Sequence, residues 1–213
     1  MKLKKQRSHK VFGWGIFLIL ISVGVALVTN GLMHTSPTKH PAPPSKTEPK
    51  TQPTASKAVS STEKPVRLRI NKIAVDAAIE SVGLTSAGAM DAPKTNEGVG
   101  WYKDSALLGQ SAFSVLLDGH YGTDKQPGVF YRLNELVNGD EITLMGENGA
   151  LFSYKIVETE RQNLEEIDMK KALYPYREGV QSITIITCEG NYDTSRKTYD
   201  KRVVVYAERN TTK

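Results

Sequence analysis

The chain has 213 residues, a formal net charge of +5, four histidines and a single cysteine. That length holds one ordinary domain plus extensions, and one cysteine excludes an intramolecular disulfide. The positive excess does not point to nucleic acid. It sits in residues 1–10 and 34–64, while the chain from residue 65 onward carries more acids than bases.

Behind the basic cluster Lys2, Lys4, Lys5, Arg7 and Lys10, residues 11–28 read VFGWGIFLILISVGVALV without a charge, and nearly apolar residues continue to Met33. At about 1.5 Å per helical residue the stretch spans roughly 27–34 Å, close to the hydrocarbon thickness of a bilayer. A cleaved signal peptide has a shorter apolar core and a small-residue cleavage site, and no convincing site follows here. The expectation is a retained transmembrane anchor over 11–33. The basic tail 1–10 is placed in the cytoplasm and everything after residue 33 outside, in a single-pass arrangement. Residues 34–64 hold six of the ten prolines among Thr, Ser and Lys. Such a composition buries no core, so a disordered extracytoplasmic linker is expected, with His34 and His40 solvated rather than metal-bound.

Residues 65–213 are the expected folded domain. The segment 66–84, VRLRINKIAVDAAIESVGL, reads as one or two strands with a turn at Asn71-Lys72. Residues 86–100 read as a long surface loop, and Lys103 to Leu108 as a helical turn. An apolar strand over 112–117 breaks at Asp118-Gly119, just before His120, the only histidine of this part. Apolar positions at 129, 130, 133, 136 and 137 have helical spacing and predict a short helix after Pro127-Gly128. Residues 141–145 and 151–157 read as a hairpin. Asn163 is the expected N-cap of a helix reaching Leu173, with Pro175 as its stop. Strands are expected over 183–187 and 203–207. Trp101, Phe130 and Tyr131 are assigned to the core. Short strands without βαβ alternation give a mainly β fold, a mostly antiparallel barrel with short helices.

The chemistry concentrates in ITIITCEGNYDTSRKTYDKRVVVYAE, residues 183–208. Cys188 follows a β-branched run, and Arg202 opens the next. Pairing of those strands would set sulfur beside guanidinium, and a thiol beside a fixed cation has a lowered pKa and is a better nucleophile. Arg196, closer in sequence, is the alternative cation. With His120 these residues form a candidate thiol site. Asp118 and Glu189 either flank it with negative charge, favouring a cationic amine, or are solvated loop acids. A lone cysteine after an apolar strand is otherwise an inert buried side chain. The carboxylates are scattered, so neither a metal nor a cofactor is expected.

Several of these segments resemble sortases. Thr184-Ile185-Ile186-Thr187-Cys188 is similar to the family's T-L-x-T-C strand, with Ile in place of the usual Leu. Arg202 with the apolar run behind it is similar to the arginine strand, and Leu117-Asp118-Gly119-His120 to the histidine segment. The opening INKIAVDAAIESVGL and the stretch PGVFYRLNEL with Gly139-Asp140 look most like class F. The resemblance implies a closed eight-stranded barrel on the outer face of a Gram-positive membrane. It also implies a cysteine transpeptidase that cuts an LPXTG-like sorting signal between Thr and Gly and joins the acyl group to an amine, usually of a peptidoglycan precursor. By position Cys188 would be the nucleophile forming the thioacyl-enzyme, and His120 the general acid and then base. Arg202 would stabilise the oxyanion and position carbonyls. Thr187 would be a second oxyanion or substrate contact. Tyr121 stands where a smaller residue is common and would narrow the cleft on the amine side. The other readings are a cell-surface cysteine peptidase using water and a non-catalytic wall-binding module. If neither the thiol nor the imidazole is much shifted, only a small fraction of molecules holds the ion pair at neutral pH, and a slow enzyme is expected.

Overall fold

A computed structural model describes residues 62–210. The expected tail 1–10, membrane span 11–33 and nearly all of the linker 34–64 lie outside the described residues. Among the described residues no helix is long and apolar enough to cross a membrane.

Eight strands close into a barrel in the order β1-β2-β3-β4-β9-β10-β8-β7. They are β1 (Pro65–Ile70), β2 (Val75–Val82), β3 (Val99–Tyr102), β4 (Val115–Gly119), β7 (Glu141–Gly146), β8 (Leu151–Asn163), β9 (Ser182–Asp193) and β10 (Thr198–Arg209). A small hairpin, β5 (Gly122–Thr123) with β6 (Gln126–Pro127), sits outside the barrel order. Most pairs are antiparallel; β2–β3 and β4–β9 are parallel. A parallel pair needs a crossover. Residues 83–98 supply the first, and the chain from β5 through the segment after β8 supplies the second.

Alternation sets the barrel's inside. In β1 Leu68 and Ile70 are buried, while Arg67 and Arg69 point outward to Asp76 on β2 (2.5 and 3.2 Å). In β9 Ile183 and Ile185, and in β10 Val203, Val205 and Ala207, join the core. Their outward neighbours Thr184, Val204 and Tyr206 are buried as well. Burial on both faces explains why β9 and β10 read as continuous apolar runs and not as alternating ones.

The expected barrel is present, with informative differences. β3 begins inside the expected loop over 86–100, because a four-residue strand containing Gly100 carries little signal. β4 starts three residues later than expected, at Val115. No helix forms over 129–136 except a 3-10 turn at Leu133–Glu135. Phe130 and Leu133, whose spacing suggested a helix face, are core residues presented by an irregular segment. The helix expected over 163–173 is two pieces. Asn163 lies at the end of β8 and opens a 3-10 turn, Leu164–Glu166, with Glu166 accepting from both its backbone and side-chain amide. Ile167 then turns extended, and Asp168 caps α1 (Met169–Leu173) by accepting from the Lys170 and Lys171 amides. Glu63 pairs with Leu108 through the backbone, so the folded unit reaches into the last residues read as linker. Trp101 and Phe130 are in the core as expected, whereas Tyr131 is only partly buried and packs in a row of tyrosines.

Candidate active site

The expected residues lie on two paired strands and just past the end of a third. Arg202 on β10 is the direct cross-strand partner of Cys188 on β9, so the two side chains project from the same face. β4 runs parallel to β9 with Asp118 opposite Ile186. His120 and Cys188 each lie two residues beyond that last paired position, His120 just past the end of β4. The Thr187 hydroxyl donates to the Gly119 carbonyl at 2.8 Å, one residue before each of the pair, and ties the two segments together. That side chain is 3% exposed on the inner face. Its hydroxyl is committed to the strand junction, and only its backbone borders the site.

Beyond Arg202 the ladder is bulged. Glu189 pairs with Lys201 and Tyr192 with Tyr199, so Gly190 and Asn191 together oppose Asp200. Gly190 takes φ +90°, a conformation other residues rarely adopt. Asp200 accepts from the Asn191 amide at 2.7 Å and fixes the bulge. Next to it, the Arg202 guanidinium folds back on its own strand. It donates to the Tyr199 and Lys201 carbonyls (2.9 and 2.8 Å) and to the Thr198 hydroxyl (3.0 Å). These partners are neutral, so the charge at Arg202 is oriented without being cancelled. Arg196 is the opposite case. At the hairpin tip it pairs with Asp193 (3.0 Å) and with Glu165.

Cys188 is partly buried. The sequence predicted a thiol lowered by its cation, and the structure gives the other sign. Burial pushes the thiol up and Asp118 adds to this, outweighing the pull of Arg202 and of hydrogen bonds from the Tyr199 amide and the Thr198 hydroxyl. The thiol is therefore predominantly protonated at neutral pH, and its nucleophilic form is a minority.

The two flanking acids differ. Glu189 is 3% exposed and is held by Arg161 and Asn134, both at 2.6 Å. It is a neutralised anchor beneath the site and not a solvated loop acid. Asp118 projects on the same face as Cys188, half-buried, with one carboxylate oxygen buried and unpartnered. Burial and the nearby Asp91 and Glu80 push its carboxyl up to about 7.

That shift has a consequence for stability. The unfolded carboxyl ionises near the ordinary value of 3.8, whereas the folded one holds its proton to about 7. The unfolded state thus loses its proton first as pH rises, and folding stability falls between those values. Asp118→Asn removes this loss. Its stability relative to the parent should rise with pH and level off above 7, at about 1–4 kcal/mol. Thermal denaturation from pH 4 to 8 measures this; a gap that stays constant with pH would contradict it.

Tyr121 stacks on Tyr131 at 5.0 Å between ring centres and meets Tyr199 edge-on at 5.3 Å, and Tyr199 meets Tyr192 likewise at 5.3 Å. The Tyr199 hydroxyl donates to the Gly122 carbonyl at 2.6 Å. These rings join the histidine loop to the cysteine–arginine hairpin. Tyr121 is therefore engaged by other tyrosines on both sides.

Sequence reasoning missed Thr198, whose signal was only its position four residues before Arg202, and Pro93. The Pro93 carbonyl lies 2.8 Å from His120 Nε2, and nothing in the sequence links residues so far apart.

A sortase-domain family model matches residues 68–210. Solved structures of similar fold include sortase C-1 from Actinomyces oris, with 25% identity and a TM-score of 0.53, covering 70% of this chain and 76% of that one. A lid mutant of sortase A from Corynebacterium diphtheriae shares 22% identity at a TM-score of 0.54, covering 71% and 73%. Sortase C1 from Streptococcus suis shares 21% at 0.52, covering 71% and 75%. No curated protein matches the chain. A family match over most of the chain, on a closed barrel that sets a cysteine and an arginine on paired strands and a histidine just past the end of the next, places this chain in the sortase family.

Proposed function

We propose that this sortase cleaves an LPXTG-like signal between Thr and Gly and transfers the acyl group to an amine of a peptidoglycan precursor. Sortases are cysteine transpeptidases acting on peptide bonds and anchoring surface proteins, and that activity is this chain's. The finer reading assigns roles by position. Cys188 attacks the scissile carbonyl and holds the acyl group as a thioester, which stays reactive toward an amine. His120 protonates the leaving amine and then deprotonates the incoming one. Arg202 stabilises the oxyanion, a charge that grows only towards the transition state. Thr187 positions the cysteine and histidine segments through its bond to Gly119. The observation that carries this reading is the direct pairing of Arg202 with Cys188, with His120 just past the end of the strand that runs beside β9.

The same reading places the protein in class F, on the likeness of residues 70–84 and 127–140 to that branch. It places the domain outside the cell membrane, on the anchor 11–33 and linker 34–64, whose uncharged run and proline content support that role. Incubation with LPXTG-like peptides and candidate amines, read by mass spectrometry, tests it. The reading requires a ligated product. Hydrolysis alone, even with abundant amine, would leave a peptidase instead.

A protonated thiol makes the enzyme slow near neutrality, and kcat/KM should fall as pH rises through the thiol's ionisation, because the proton that His120 passes to the leaving amine is then lost. The histidine loop also has a steric dependence. Gly128 packs so closely on His120 that a Cβ there would overlap the His120 carbonyl and lie 2.9 Å from its Cβ. The Gly128 and Phe130 amides donate to the Tyr121 and His120 carbonyls (2.8 and 3.0 Å). Gly128→Ala should displace the histidine segment, lowering kcat about 10- to 100-fold and stability by about 1–3 kcal/mol. Kinetics and thermal denaturation together check this.

A further inference from the structure

The crossover from β2 to β3 does more than connect a parallel pair. Its first part closes on itself, with Leu84 bridged to Met90 and the Thr85 amide donating to the Ala89 carbonyl at 2.8 Å. Residues 91–94 then run past the end of β4 as a short strap held at both ends. The Asp91 amide donates to the Gly83 carbonyl at 2.9 Å, and the Lys94 amide to Glu80 Oε1 at 2.7 Å. Beyond it the Asn96 carbonyl accepts from the Val129 amide at 2.7 Å, which joins the strap to the loop packed on His120. Pro93, in the middle, is buried and presents its carbonyl to His120 Nε2 at 2.8 Å.

A carbonyl oxygen only accepts, so the nitrogen facing it must carry the hydrogen. A neutral imidazole has one N–H, and the partner of one ring nitrogen decides the state of the other. We propose that the strap, through the Pro93 carbonyl, holds His120 as the Nε2–H tautomer, making Nδ1 the nitrogen that exchanges protons during the reaction. This rests on the sortase reading for its role in turnover but not for the tautomer itself. In the acylation half, the S–H bond of Cys188 breaks as Nδ1–H forms, and the thiolate adds to the carbonyl. The C–N bond then breaks as the Nδ1 proton passes to the leaving amine. In the second half Nδ1 takes a proton from the incoming amine as its nitrogen displaces sulfur, and the proton returns to the thiolate. The strap keeps the ring oriented through both halves because Nε2 stays protonated throughout. Glu80 is a positioning residue here, acting on His120 through Lys94 and Pro93.

The test is a long-range proton–nitrogen correlation on the full chain labelled with 15N-histidine, the His120 signals being those lost in His120→Gln. In the neutral ring the proposal expects a pyrrole-type Nε2 and a pyridine-type Nδ1; the reverse pattern overturns it. Glu80→Gln keeps an acceptor for the Lys94 amide and should retain both the tautomer and kcat. Glu80→Ala removes the acceptor and should give mixed tautomers, with kcat down about 10-fold and KM little changed. Unchanged tautomer and kcat in Glu80→Ala would overturn the strap's role. Failure of the sortase reading would show separately, as absent peptide turnover beside an intact tautomer pattern.

Discussion

Cys188→Ala should leave a folded barrel that forms no acyl-enzyme and has lost turnover by at least about 10⁴-fold. The magnitude follows from removing a covalent step, since loss of a nucleophile leaves only binding and electrostatic stabilisation behind. The fold should tolerate the change. Cys188 is partly buried on the outer face, outside the apolar cluster that fills the barrel, and β9 is held by its backbone pairing with β4 and β10. Intact-mass spectrometry of peptide-treated protein and a thermal melt separate the two consequences. A Cys188→Ala protein that still ligates peptide would move the nucleophile elsewhere, and one that keeps its full biological effect would favour a binding module.

Arg202→Ala is the second large effect, a loss of about 10²- to 10³-fold in kcat with a smaller change in KM. Removing one preorganised oxyanion donor costs this much in other acyl-transfer enzymes. The size depends on orientation as well as charge. The guanidinium is held by two carbonyls and one hydroxyl of its own strand. A lysine carries the charge on a flexible stem without that planar fork, so Arg202→Lys should recover little. Thr198→Val, which removes one of the three partners, should lower kcat by a smaller factor. Arg196→Ala should stay within a few-fold of the parent, because Asp193 and Glu165 already neutralise that side chain. An inactive Arg196 variant beside an active Arg202 variant would reverse the assignment.

The pairing of Cys188 with Arg202 was legible in the sequence because the two strands are written in β-branched runs that end at Cys188 and begin at Arg202. The strand hidden at Val99–Tyr102 and the divided helix after Asn163 were not legible for local reasons. Gly100 dilutes one, and a second cap at Asp168 interrupts the other although the first cap at Asn163 is real. The ionisation of Cys188 was misread because adjacency to a cation can be seen in a sequence, but burial cannot. Glu189 shows the same limit from the other side. Its partners Arg161 and Asn134 lie on β8 and in the 3-10 turn before β7, and only barrel closure brings them together. The tyrosine row and the Pro93 contact likewise depend on loops meeting across the barrel's end.

The most direct measurement combines wild-type protein, an LPXTG-like peptide and an amine, followed by intact mass and peptide mapping over time. The account predicts an adduct equal to the acyl fragment on the peptide containing Cys188. That adduct should disappear as amine is added, while the ligated product appears in equal amount. An adduct on another residue, or product formed with no adduct at Cys188 even when amine is withheld, would contradict it.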